Sequence, residues 1–279
     1  MVKISEALDK ANYGGSQQFI EIQQKSSLTP ASEKFTEQHR LAKRLSGKWD
    51  ERLFKAVNDD SYLPEVFKTL RSRILHPLDG EMVPKTIMIT SAIPKEGKSF
   101  VSANLAISLA HGMDQHSLLV DCDLRKPTLA RMFGLDNSVG LVDYLRDNVM
   151  LSELIAKTSI NTLSVLTSGK SPANPAELLG STRMSALVEE LSGRYDDRII
   201  IFDSPPLLVA AESSVLAGQV DAVILVVRQS TSGKAHIQKL IDIIGTERIM
   251  GIVFNDQSIN SLQKSLVKGY GHYHEGYYQ

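Results

Sequence analysis

Six short apolar runs constrain how this 279-residue chain can fold: TIMITSA at 86–92, LLVDCD at 118–123, TLSVLTSG at 162–169, RIIIFDSPP at 198–206, AVILVVRQS at 222–230 and IMGIVFND at 249–256. Each is rich in Val, Ile and Leu with little polar alternation. Between most of them lie stretches that suit helices, such as ANPAELLGSTRMSALVEELSG at 173–193. Near-continuous apolar strands are those buried on both faces, and strands alternating with helices form parallel sheets. The predicted class is therefore α/β, a parallel β-sheet with helices on both faces. Ligands of such sheets bind beyond the carboxyl ends of the strands.

Composition removes several alternatives. The formal charge of −1 gives no global attraction to nucleic acid or to an anionic membrane. The longest apolar runs, such as AVILVV at 222–227, are far short of the ~20 residues that cross a bilayer. The N-terminal MVKISEALDK has no apolar core of the secretory type, and the single cysteine excludes an internal disulfide, so a cytoplasmic location is expected. Residues 1–60 are polar, with Gln-rich and Ser-rich patches, and read as an arm that is partly disordered or helical. A folded domain is expected over 61–268. It opens with EVFKTLRSRIL, in which Phe67, Leu70 and Ile74 recur at helical spacing. Residues 269–279 form a tyrosine-rich tail with no regular period.

TSAIPKEGKS follows the first strand and opens a helix at GKSFVSANLAISLA. It fits the P-loop pattern at Gly97, Lys98 and Ser99, with Ala92 where the first glycine would stand. Outward-facing backbone N–H groups at a helix N-terminus make an anion nest. Lys98 would reach the β and γ phosphates, and Ser99 a Mg²⁺ ion. Pro94, Lys95, Glu96, Gly97, Lys98, Ser99 and Phe100 are thus the expected nucleotide-binding set. LLVDCD then delivers Asp121 and Asp123, and RIIIFD delivers Asp203, to the same sheet edge. Any one aspartate could simply cap a helix. Three together beside a phosphate loop suit an oxygen-loving cation and a carboxylate that orients a nucleophile. Arg228 and Asn255 end two further strands at that edge, and Asn offers the paired donor and acceptor a purine edge requires.

The joint pattern resembles the bacterial tyrosine kinases, the BY-kinase family, which use P-loop NTPase machinery. SAIPKEGKS resembles their Walker A, LLVDCDLR their Walker A′ and IIIFDSPP their Walker B, and SPANPAELLGS at 171–181 is similar to a proline-rich turn of these enzymes. The likeness covers roughly residues 60–279, and the free-standing form is most similar to the exopolysaccharide-associated, EpsG-like branch. The resemblance implies an ATP- and Mg²⁺-dependent protein-tyrosine autokinase that regulates exopolysaccharide chain length and export. Lys98 and Ser99 would serve phosphate and Mg²⁺, Asp203 the metal, and Asp121 and Asp123 metal contact and deprotonation of the tyrosine, which of the pair is the base staying open. Glu65, Lys68 and Arg71 match an oligomerisation helix, with Lys in place of an Arg. Further implied are a membrane-embedded polysaccharide chain-length protein as activator, recruitment by it to the inner face of the plasma membrane, an opposing tyrosine phosphatase, and self-association. No nucleic-acid partner is expected.

On this reading the closing GYGHYHEGYYQ carries the phosphoacceptors Tyr270, Tyr273, Tyr277 and Tyr278 on a glycine-rich segment able to reach a neighbour's active site. The rival is a positioning ATPase of the MinD/ParA type. That group carries a signature Lys five residues before the P-loop Lys, where this chain has Ile93.

Overall fold

The structure is a computed structural model, and it describes residues 48–53, 62–77, 82–112, 115–147, 149–194, 197–229 and 231–256. All of these belong to the unit Thr36–Gln279. The tail tyrosines and nearly all of the expected arm lie outside the described residues.

The six apolar runs form six strands: β1 (Thr86–Ser91), β2 (His116–Asp121), β4 (Leu163–Leu166), β5 (Arg198–Asp203), β6 (Ala222–Arg228) and β7 (Ile249–Asn255). A seventh, β3 (Ile155–Lys157), completes the sheet in the order β3-β4-β2-β5-β1-β6-β7. Every pair is parallel except β3 with β4. The expected parallel sheet therefore has one antiparallel edge. Residues 158–162 are too few for a crossover. Thr158 closes a tight turn there, its Oγ1 accepting from the Ile160 N–H at 3.1 Å and lying 3.1 Å from the Leu163 carbonyl.

The helices are α1 (Tyr62–Leu75), α2 (Lys98–Ala110), α3 (Leu129–Met132), α4 (Leu141–Asp147), α5 (Leu151–Leu154), α6 (Pro175–Leu179), α7 (Thr182–Arg194), α8 (Glu212–Ala217) and α9 (Lys234–Ile244). They divide the core in two. Met88, Leu118, Val120, Ile200, Phe202 and Leu225 line one face of the sheet, and Ile87, Ile89, Leu119, Ile199, Ile201 and Val226 the other. The two sets alternate residue by residue along each strand, as the pleat dictates. The interiors of β1, β2, β5 and β6 are buried on both faces, whereas the edge strand β7 exposes Ile252 and Phe254.

Helix α2 lies beneath α1, where the Phe67 and Phe100 rings meet edge to face at 6.3 Å and Arg71 donates to the Ser108 carbonyl at 2.6 Å. Phe67 and Ile74 are buried, as their helical spacing predicts. Glu65 and Lys68 pair with each other on the exposed side of α1. Residues 48–53, on the arm side of the expected boundary, pack into the same body. Leu53 is fully buried, Trp49 stands edge-on to Phe133 at 5.0 Å, and the Asp50 N–H donates to the Met132 carbonyl.

Candidate active site

Three strand ends meet where β1, β2 and β5 lie side by side, and each turn there keeps its polar side chains at the sheet's carboxyl edge. After β1 the chain rises through residues 92–97 and enters α2 at Lys98. Two residues take left-handed backbone angles to make this turn, Lys95 at φ 69° and Gly97 at φ 94°. Glycine is required at 97 for a second reason: a Cβ there would stand 1.9 Å from Asn255 Nδ2. Ala92, in the place of the first P-loop glycine, is fully buried in the core. The neighbouring carbonyls tie this loop to the segment after β5, Ser91 accepting from Leu207 at 2.9 Å and Ala92 from Leu208 at 3.3 Å.

Lys98, the first residue of α2, is buried to 7% exposure. Its charge acts on both Asp123 and Asp203, holding their acidity against the effect of burial. Pro94 and Lys95 sit on the exposed part of the loop. Phe100 is turned toward α1, with the Arg52 guanidinium 6.0 Å from its ring centre.

Asp121 and Asp203 are register partners on neighbouring strands, both without solvent exposure. Asp121 Oδ2 accepts from the Thr128 and Leu129 N–H groups at 3.2 and 3.0 Å, and Oδ1 from the Asp123 N–H at 3.2 Å. It thus binds the A′ turn and the start of α3. Burial first, and then the charge of Asp203, push its pKa well up against the pull of those amides. Asp203 is raised to about 6, burial again dominating over the pull of Lys98, Ser99 and Ser102. Ser102, one helical turn beyond Lys98, donates to Asp203 Oδ1 at 3.0 Å. Among the described residues, Asp203 Oδ2 is buried and meets no donor in hydrogen-bonding geometry. Asp123 is the least enclosed of the three, at 9% exposure, with Oδ1 accepting from the Lys126 N–H at 3.1 Å; burial raises it also. Cys122 points into the opposite core, and burial pushes its thiol up.

Among the described residues no three carboxylates, histidines or cysteines gather closely enough to hold a metal by themselves. A small hard cation that retains water and takes phosphate oxygens does not need such a cage. The orphaned Oδ2 of Asp203 beside Ser99 is the donor set that fits one.

Arg228 and Asn255 are register partners on β6 and β7. The Arg228 guanidinium is held by Asp256 at 2.6 and 2.9 Å. Asn255 Nδ2 donates to the Glu96 carbonyl at 2.8 Å, so its amide faces the phosphate loop. Glu96, expected in the nucleotide-binding set, is fully buried in the loop. Two contributors were missed in the sequence. Ser102 carried a signal, since i and i+4 share a helix face with Lys98. The Arg125–Glu212 pair at 2.8 Å, which ties the A′ turn to α8, carried none.

An AAA domain family matches residues 85–250. The chain is 34% identical over 236 residues to the tyrosine-protein kinase YwqD of Bacillus subtilis, covering 84% of this chain and 95% of that protein. It is 32% identical to the putative tyrosine-protein kinase CapB of Staphylococcus aureus, over 72% of this chain and 87% of that one. Among solved structures, the chimerical protein CapA2B2 superposes with a TM-score of 0.67 at 30% identity, over 81% of this chain and all of that one. The septum site-determining protein MinD of Pyrococcus horikoshii, complexed with Mg-ADP, superposes at 0.50 with 23% identity over 66% of this chain and 76% of its own, a likeness of fold alone. A P-loop fold with this carboxylate arrangement and these relatives places the chain in the bacterial tyrosine kinases, the BY-kinase family. It is a protein-tyrosine kinase.

Proposed function

We propose that the chain is an ATP- and Mg²⁺-dependent autokinase that phosphorylates Tyr270, Tyr273, Tyr277 and Tyr278 of its own tail and so regulates exopolysaccharide chain length and export. The observation that carries this reading is the convergence of Lys98, Ser99, Asp123 and Asp203 at the junction of β1, β2 and β5, with one oxygen of Asp203 unpartnered. The names of YwqD and CapB support the transferred group and its acceptor.

In this scheme the turn 92–97 and the N-terminus of α2 cradle the phosphates, and Lys98 draws negative charge off the transferring group. Ser99 and Asp203 would hold Mg²⁺, which supplies charge neutralisation between the phosphates. Ser102 orients Asp203 for that task. Asp121, with both oxygens engaged by backbone amides, shapes the A′ turn. Asp123, less enclosed, takes the proton from the incoming tyrosine hydroxyl.

The kinase unit would run to about residue 268, with an arm before residue 60 and the tail after it. The tail enters a neighbouring subunit, which links copies while it is neutral. Four phosphates add roughly −6 to −8 charges at neutral pH and would be expelled by the carboxylate cluster. No helix among the described residues is long and apolar enough to cross a membrane. Recruitment to the inner membrane face and activation are assigned to a membrane-embedded polysaccharide chain-length protein, and reversal to a tyrosine phosphatase. The primary test is Lys98→Met, blotted for phosphotyrosine after incubation with ATP and Mg²⁺. Loss of signal with an unchanged thermal transition is expected; full activity overturns the reading.

A further inference from the structure

We propose that Glu96 and Asn255 are positioning residues forming a clasp that holds the phosphate loop from the ends of β6 and β7. The inference rests on the nucleotide-site reading above and deepens it.

A carboxylate removed from water is costly unless its oxygens are matched. Glu96 has no solvent exposure, and both of its oxygens are used on backbone amides. Oε2 accepts from the Ile93 N–H at 3.0 Å, inside the loop, and Oε1 from the Arg228 N–H at 3.3 Å, at the end of β6. Its own carbonyl accepts from Asn255 Nδ2 at 2.8 Å, at the end of β7. One residue thus ties three places together: the loop's first half, β6 and β7.

The flanking backbone explains the need. Lys95 and Gly97, on either side of Glu96, both take left-handed angles, φ 69° and 94°. Such a conformation at a lysine persists only where the surroundings over-determine it. The close approach of Asn255 to Gly97 removes the space into which the loop could relax. The amide that a sequence reading would give to the purine edge is therefore engaged on the phosphate side. Arg228 contributes through its backbone, its guanidinium being held by Asp256.

The two assignments of Asn255 separate when a ligand without a base is used. The experiment measures affinity of the full chain for Mg·ADP and for Mg·tripolyphosphate, by displacement of a fluorescent ADP analogue, in wild type, Asn255→Ala and Glu96→Gln, with thermal denaturation as the check on folding. Loss of the clasp weakens both ligands together, by about tenfold for Asn255→Ala. Glu96→Gln turns an amide N–H₂ toward one of the two N–H groups and weakens both at least as much. In turnover, KM for ATP rises by the same factor, and kcat falls by a smaller one because the loop also leads into Lys98. A loss confined to ADP, with tripolyphosphate unaffected, overturns the clasp and returns Asn255 to the base while leaving the nucleotide site intact. Unchanged affinity for both in either variant overturns it too. A wild-type chain that binds neither overturns the clasp and the functional reading together.

Discussion

Asp121 and Asp203 sit on adjacent strands, in register, equally cut off from water, and they have opposite occupations. Every oxygen of Asp121 is matched by backbone N–H groups of the turn after β2. Asp203 accepts one hydroxyl from Ser102, and among the described residues no donor meets its second oxygen in hydrogen-bonding geometry. Depth in the sheet is therefore a poor guide to role. The course of the chain beyond each strand decides it: past β2 it folds back over its carboxylate, whereas past β5 the SPP segment carries the backbone toward β1, where Ser204 donates to the Ile89 carbonyl. The first carboxylate is an internal cap, and the second is the one the proposed cation site would use.

Substitutions should separate the two. The largest expected effect is on transfer: Asp203→Asn lowers kcat/KM for phosphotyrosine formation by at least about a thousandfold, because an amide cannot neutralise a cation. Retained activity would make Asp203 a second cap. Asp123→Asn is expected to lower kcat by about a hundredfold with little change in KM for ATP, the signature of a lost base. An equal fall on Asp121→Asn with wild-type stability would move the base to the other aspartate.

Stability gives the converse. Asp121→Ala leaves three N–H groups without their acceptor and should lower the melting temperature by about 5–10 °C. Asp203→Asn should raise that of the nucleotide-free protein by a few degrees. Its pH dependence has a defined sign. The folded carboxyl, at about 6, lies above its ordinary 3.8, so its contribution is fully present below the lower value and is lost as pH rises through the upper one. The gain of Asp203→Asn should thus be absent below about pH 3 and complete above about pH 7, as a scanning calorimetry series would record. The smallest effect is that of Ser102→Ala. Freeing Oδ1 should raise the Mg²⁺ concentration for half-maximal nucleotide binding by about threefold; no change would mean that the hydroxyl serves only its other partner, the Lys98 carbonyl.

The strands and the phosphate loop were legible because their signals are local: uninterrupted Val, Ile and Leu runs, and a glycine-lysine-serine triplet at a strand-to-helix turn. The three aspartates were legible as a group, since Asp121 and Asp203 end strands and Asp123 lies two residues beyond β2. Their division of labour was not, because it depends on hydrogen bonds made by residues 123–129, which the spacing of LLVDCD does not encode. The clasp was still less accessible. Asn255 and Glu96 are separated by 159 residues, and a strand-terminal Asn reads as a purine contact or a turn residue until its neighbour is known. The short β3 escaped for another reason, since IAK offers only three residues of pattern.

The chain at the end of β2, which leaves Asp121 and Asp123 at the site and Cys122 in the core, also provides a clock. Cys122 is the single thiol of the chain, with no solvent exposure and a pKa pushed up by burial, so a maleimide cannot reach it while β2 keeps its place. Its labelling rate under native conditions therefore counts openings of the strand that presents the carboxylates. No engineered probe is needed, and the background from other cysteines is zero. Slower labelling with Mg·ADP would convert nucleotide affinity into a lifetime, read at the centre of the site by a residue that takes no part in the chemistry.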